Sequence, residues 1–181
     1  MKKPFSLLVA TIAITGSLTA IPAHAMGSGN KYQDLQTGVT YGIYQPTTTL
    51  GLPALNFEVR PCRIFPKQEE YLLAGFGGMD QGIALVETSA QFNCTGLDNP
   101  LALPNTNING VVAKVGIYCP TSKCTAAQFT KFGGEITFTT PAAKYISKSL
   151  RPTFIRVGTQ GGFTLKQLIT FASGLKRVGS Y

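Results

Sequence analysis

Four cysteines, Cys62, Cys94, Cys119 and Cys124, offer the most tightly constrained chemistry in this sequence. Thiolates bridge, exchange or ligate zinc. Neither neighbouring pair has the C-x-x-C spacing that zinc sites and redox pairs favour, so both of those uses are set aside. An even number in an exported chain points to two disulfides, with three connectivities open. The favoured pairing is Cys62–Cys94, flanking a presumed central hairpin, with Cys119–Cys124 closing a tight loop. Chain entropy gives the longer loop ~3–4 kcal/mol and the shorter one ~2.

Carboxylates come next: Asp34, Glu58, Glu69, Glu70, Asp80, Glu87, Asp98 and Glu135. A glycosidase needs two of them at a fixed separation across a cleft. Glu58 and Glu87, on strands expected to be adjacent, are the one couple worth naming. Strand alternation puts Glu58 toward solvent, and a solvent-facing place is expected for both. Ser173-Gly174-Leu175-Lys176 spells S-x-x-K, but the serine closes a helix where a β-lactamase serine opens one, and the S-D-N and K-T-G companions are missing. Gly75 to Gln81 is glycine-rich, yet strand-like residues follow it, so it reads as a hairpin turn and not as a phosphate cradle. No calcium-loop or cofactor motif occurs. No catalytic, cofactor or metal residue is assigned, and the expectation is a non-enzymatic protein.

The first residues explain why histidine chemistry is absent. Lys2 and Lys3 precede the apolar run Phe5–Ile21, and Ala23-His24-Ala25 has the small-x-small cleavage pattern. Cleavage after Ala25 is expected, leaving 26–181 as a single exported globular domain. The one histidine, His24, departs with the leader, and the chain has no Trp. Ser-His and Cys-His nucleophile pairs and His-ligated zinc go with it.

Charge is uneven along the 181 residues. The formal balance of +8 becomes +6 without Lys2 and Lys3, and Glu135 is the last acid. Beyond it stand Lys144, Lys148, Arg151, Arg156, Lys166, Lys176 and Arg177. This basic C-terminal third suits an anionic envelope polymer, a lipid head group or an acidic protein. Nucleic acid is not expected, for want of any recognition motif. A solvated face that keeps the protein dispersed would use the same charges.

Those residues need a frame. The clearest element is the last helix, within Gly161–Leu175, whose Leu165, Leu168, Ile169, Ala172 and Leu175 form one apolar stripe. Thr164 is its N-cap, and Lys176 and Arg177 suit its carbonyl end. Upstream the pattern is strand and turn. Short strands are expected at Val39–Tyr44, Leu55–Arg60 (ended by Pro61), Glu70–Ala74, Gly82–Glu87, Glu135–Thr139 and Thr153–Val157. Val111–Tyr118 reads as a central strand launched by the Asn109-Gly110 turn. Asp98 to Asn109 reads as a surface loop, Thr121–Phe132 as loop or short helix, and Ala142–Leu150 as helix or loop. Tyr32, Tyr41, Tyr44, Tyr71, Tyr118, Tyr145 and Tyr181 are assigned to core and sheet edge.

Three stretches carry a family resemblance: Tyr44-Gln45-Pro46-Thr47, Ile108-Asn109-Gly110-Val111-Val112-Ala113, and Phe163 through Leu175. Over roughly Tyr41 to Val178 the chain resembles uncharacterised bacterial extracytoplasmic domains, some of them attached to anti-sigma-factor-like membrane proteins. The resemblance implies a curved antiparallel sheet on a C-terminal helix and no catalytic residue. This chain departs from it in its four cysteines and its lack of a membrane tether. The expected fold is α+β, a single domain with about six or seven antiparallel strands packed against one C-terminal amphipathic helix. The expected function is envelope-associated binding. An inhibitor or regulator of an extracytoplasmic enzyme is the alternative, and a carboxylate-dependent hydrolase stands behind it.

Overall fold

The structure, a computed structural model, describes residues 29–62, 69–78, 81–91 and 99–179. The leader expected over residues 1–25 lies outside them. The chain runs α1 (Lys31–Gly38), β1 (Tyr44–Pro46), β2 (Ala54–Cys62), β3 (Glu69–Gly77), β4 (Gly82–Ser89), β5 (Leu101–Ile108), β6 (Val111–Ile117), α2 (Phe129–Phe132), β7 (Gly134–Thr140), β8 (Ala143–Tyr145), β9 (Lys148–Leu150), β10 (Thr153–Thr159), α3 (Leu165–Ser173) and β11 (Leu175–Arg177). The architecture is α+β: a seven-stranded antiparallel sheet with a C-terminal helix on one face.

Strand order in the large sheet is β2-β3-β4-β10-β7-β6-β5. Two three-stranded meanders, β2-β3-β4 and β5-β6-β7, lie on either side of β10. Every residue from Thr153 to Thr159 pairs with β4 on one side and β7 on the other. The sequence placed Val111–Tyr118 at the centre; it is instead β6, next to the edge, and β10 is central. Alternation along β10 explains its place. Ile155 and Val157 are fully buried on the helix side, while Arg156 and Gly158 face the other way.

Helix α3 begins as expected. The Thr164 side chain accepts the Gln167 N–H, and the Gln167 side chain accepts the Thr164 N–H, a reciprocal cap. Its buried residues are Leu168, Phe171 and Ala172, whereas Leu165 and Ile169 are only half covered. Phe171, outside the expected stripe, is fully buried and meets Phe76 edge to face with ring centroids 5.2 Å apart. Beneath it lie Ile83, Leu85, Ile136, Ile155 and Val157. Leu175, Lys176 and Arg177 do not extend the helix. They form β11, pairing with β1.

A smaller core holds the N-terminal segment down. Val39, Tyr41 and Ile43 pack with Leu72 and Val178. The buried Gln36 amide accepts the Ile43 N–H and donates to the Tyr41 carbonyl, so α1 clamps the strand-like stretch after it. Asn30 caps α1, accepting the N–H groups of Tyr32 and Gln33.

Other departures have local causes. Residues 101–108, expected as loop, are the edge strand β5. Its register slips between Leu103 and Thr106, around Pro104, and an edge with a bulge is where a sheet tolerates proline. Pro61 likewise does not end β2, which runs to Cys62 on the opposite edge. Being an edge, β2 leaves Leu55 and Val59 exposed and only half buries Phe57, against the expected apolar face. Residues 142–150 form neither helix nor plain loop but the β8–β9 hairpin. The β5–β6 turn is as read: Asn109 at φ 51° and Gly110 at φ 87° are the two positive-φ centres of a type I′ hairpin.

Removing the Phe171 ring should test how far α3 is held by the sheet. Phe171→Ala is expected to cost roughly 3–5 kcal/mol in urea unfolding, with half-exposed Leu165→Ala costing clearly less. Equal losses at the two positions would contradict this account of the packing.

Candidate functional site

The face of the sheet away from α3 carries a line of small residues. Register sets Asn56, Gly75, Ala84, Gly158, Glu135, Gly116 and Ala102 side by side across all seven strands. Toward its two ends the line is filled from neighbouring residues. The Asn56 side chain lies where Gly75 would carry a Cβ, and the Pro100 ring lies where Gly116 would. Between them the floor stays open as a cavity of about 370 Å³, lined by Leu55, Ala84, Val86, Tyr118, Arg156 and Gly158 among others.

Tyr118 and Arg156, which form one wall of this cavity, belong to a three-member polar cluster completed behind them by Glu135. Arg156 Nε lies 2.6 Å from Glu135 Oε2, the Tyr118 hydroxyl donates to the same oxygen at 2.7 Å, and Arg156 Nη2 donates to that hydroxyl at 2.8 Å. The side chains of Arg156 and Glu135 are only 14% and 12% exposed. Burial is the main reason the Tyr118 phenol is pushed up to about 12, with Arg156 pulling down and Glu135 pushing up. Tyr118 therefore stays a donor, and cation and carboxylate cancel. Glu135, read only as the last acid before a basic stretch, is the partner that neutralises one of those bases.

A second buried acid lies under the N-terminal segment, on the helix side of the sheet. Glu87 is fully buried, in register with Leu72 on β3 and Ile155 on β10. Its Oε2 accepts the Tyr44 N–H at 2.8 Å, while its Oε1 has no hydrogen-bond partner. Burial holds its pKa well above the usual carboxylate range, with the Tyr44 N–H pulling the other way. The Tyr32 phenol is raised by its own burial and then by Glu87. Tyr41, also fully buried, donates its hydroxyl to the backbone carbonyls of Glu70 and Glu87, both at 3.1 Å.

The acid pair named from sequence is not assembled. β3 separates β2 from β4, and Glu58 is aligned with Leu73 on the open face while Glu87 is aligned with Leu72 on the core face. Glu58 lies partly exposed against Arg60, which holds its carboxyl below the usual range. The solvent-facing place expected for Glu87 is wrong: alternation along β4 puts it on the same face as Ile83 and Leu85, against the core.

The expected Cys119–Cys124 bridge is present. Cys62 is buried and also disulfide-bonded, whereas Cys94, its expected partner, lies outside the described residues. Among the described residues no group of three or more His, Cys, Asp or Glu could hold a metal, and no helix is long and apolar enough to cross a membrane.

The seven cations of the basic third divide. Arg156 points into the cavity and is paired; Lys166 is exposed on α3. The other five ride on elements that meet along residues 39–46. Lys148 donates its ammonium to the Val39 carbonyl at 2.7 Å, and the Arg151 N–H bonds the Thr40 carbonyl. Lys176 and Arg177 pair in register with Gln45 and Tyr44, and Lys144 faces Ser149 in the β8–β9 hairpin. The hairpin packs against the C-terminal tail, with the Tyr145 ring closing over Gly179. Comparison with known proteins returns no matching family model, no curated protein and no solved structure, so the resemblance drawn from sequence rests on its own three stretches.

The buried Glu87 carboxyl sets a pH signature. Its folded pKa lies above its unfolded one, so its contribution is most favourable in acid. That contribution is lost as pH rises from the ordinary Glu range toward the folded pKa. Glu87→Gln keeps an acceptor for the Tyr44 N–H and removes the charge. Its stability relative to wild type should grow with pH in that window by up to about 1.4 kcal/mol per pH unit. Urea titrations of both proteins at a series of pH values check this, and parallel curves would refute it.

Proposed function

We propose that this protein is a non-enzymatic, exported binding domain of the bacterial cell envelope. Its partner is an anionic surface, engaged at the end of the molecule where the 39–46 segment, the β8–β9 hairpin and β11 meet. The observation that carries this reading is the gathering there of Lys144, Lys148, Arg151, Lys176 and Arg177 from two separate stretches of chain, 144–151 and 176–177, on either side of the 39–46 segment. Among the described residues, the acid buried beneath that segment, Glu87, is held toward its neutral form and offsets little of the charge. Such a cluster attracts phosphate- or carboxylate-bearing polymers and head groups over roughly a Debye length, about 8–10 Å in physiological salt. The bridged Cys119–Cys124 loop agrees with an oxidising compartment.

Retention on vesicles tests the reading. Vesicles containing phosphatidylglycerol should hold the protein at low salt and release it as salt rises, while pure phosphatidylcholine should not hold it. Lys144→Gln with Lys176→Gln removes two exposed charges and should weaken retention by about 2 kcal/mol, since each lysine near an anionic surface contributes about 1. Salt-insensitive retention, or none on the anionic vesicles, would sink the proposal.

A second reading, an inhibitor of an extracytoplasmic enzyme, draws on the braced loop: all of Pro120, Thr121, Ser122 and Lys123 are exposed between the bridged cysteines. Opening that loop with Cys119→Ser and Cys124→Ser should then abolish any inhibition of secreted proteases or wall hydrolases. Absence of inhibition by the intact protein across such a panel removes this reading.

A further inference from the structure

We infer that the cavity on the open face of the sheet binds an uncharged, hydroxyl-rich ligand, a single saccharide unit resting over Ala84 and bordered by Gly158. Gly158 is a glycine without an evident structural need to be one. It sits in the middle of the central strand, where a residue without a side chain weakens a sheet. Packing does not demand it. A Cβ there would meet the Gly134 carbonyl and the Tyr118 hydroxyl at 3.6 Å and Glu135 Cβ at 3.8 Å, all ordinary contacts. Its φ is not in the left-handed region either. Gly75 and Gly116 on the same line differ, because Asn56 and Pro100 already occupy the space above them. Gly158 is buried beside the Tyr118 hydroxyl and Glu135 but borders the hollow, and the absence of a side chain there keeps that side of it from being filled.

The surroundings select the ligand. At about 370 Å³ the hollow lies near the small end of the range for ligand sites. Ala84, Val86 and Leu55 offer C–H surface, which suits one apolar face of a sugar ring. The polar wall is formed by Tyr118 and Arg156 of the Arg156–Glu135–Tyr118 cluster, whose charges cancel within the cluster. An anionic ligand would have to compete with Glu135 for the guanidinium, and a cationic one with Arg156 for the carboxylate. Hydroxyl groups avoid that conflict, since each both donates and accepts and needs no counter-charge.

Glucose, galactose and N-acetylglucosamine at millimolar concentrations, followed by saturation-transfer and ¹⁵N-shift NMR on the intact protein, test this. Glucuronate serves as the anionic control. At least one neutral sugar is expected to bind and to shift the Gly158 and Ala84 amides. Gly158→Ala should weaken that binding about tenfold or more while leaving the melting temperature unchanged or higher. Ala84→Leu fills the floor from the neighbouring strand and should do the same. Failure of all three neutral sugars, wild-type affinity in either folded variant, or preference for glucuronate over glucose would each overturn the inference. Both variants leave the five cations around residues 39–46 untouched, so a failure here does not touch the vesicle result.

Discussion

The double pairing of β10 is the constraint on which the rest of the molecule depends. Two meanders that come early in the chain have no direct contact through their inner edges, β4 and β7. A strand made some sixty residues after β4 fills the gap, bonding both along its whole length. Until it does, neither half presents a complete floor for α3. Because alternation is strict, the same strand also decides what lies on each face. Ile155 and Val157 complete the core under the helix, and Arg156 and Gly158 shape the hollow on the other side. A slip of one residue would exchange those sets and would bury a guanidinium where valine belongs.

The two buried acids show opposite solutions to one problem. A carboxylate out of water costs several kcal/mol unless charge or hydrogen bonds compensate. Glu135 is compensated through Arg156 and Tyr118 on one face. Glu87, on the other face, has one backbone donor and one unsatisfied oxygen, and its environment favours the proton instead. This second arrangement couples the seating of the N-terminal segment to acidity, because the Tyr44 N–H it anchors opens the strand that pairs with β11.

Much of this was readable in the chain, for physical reasons that differ by element. Local rules carried the Thr164 cap, the Asn109-Gly110 turn and the Cys119–Cys124 loop, each set by a few adjacent residues. Patterning carried the strands whose two faces meet different surroundings. It failed where the surroundings are unusual. β5 has Pro104 and two asparagines because it is a bulged edge, and that composition imitates a loop. Helix α1 is short and polar, held by Gln36 and the Asn30 cap and not by an apolar stripe. Phe171 lies three residues beyond Leu168 on the same face, although the stripe Leu165, Leu168, Ile169, Ala172 and Leu175 leaves it out. The hollow beside Gly158 was beyond reach, since it arises from which strands become neighbours. Tyr118, Glu135 and Arg156 are spread over 38 residues, and nothing in their spacing announces that they touch.

The two outermost strands each contain a proline, Pro61 in β2 and Pro104 in β5. Each lacks an amide hydrogen, and the Pro104 side is further kinked by its register slip. A foreign strand laid along either rim would find the ladder interrupted, so stacking of molecules into extended ribbons meets an obstacle at both margins. A chain that must fold amid many copies of itself gains from that bluntness. The seven-strand width is thus enforced at its borders as well as from its middle.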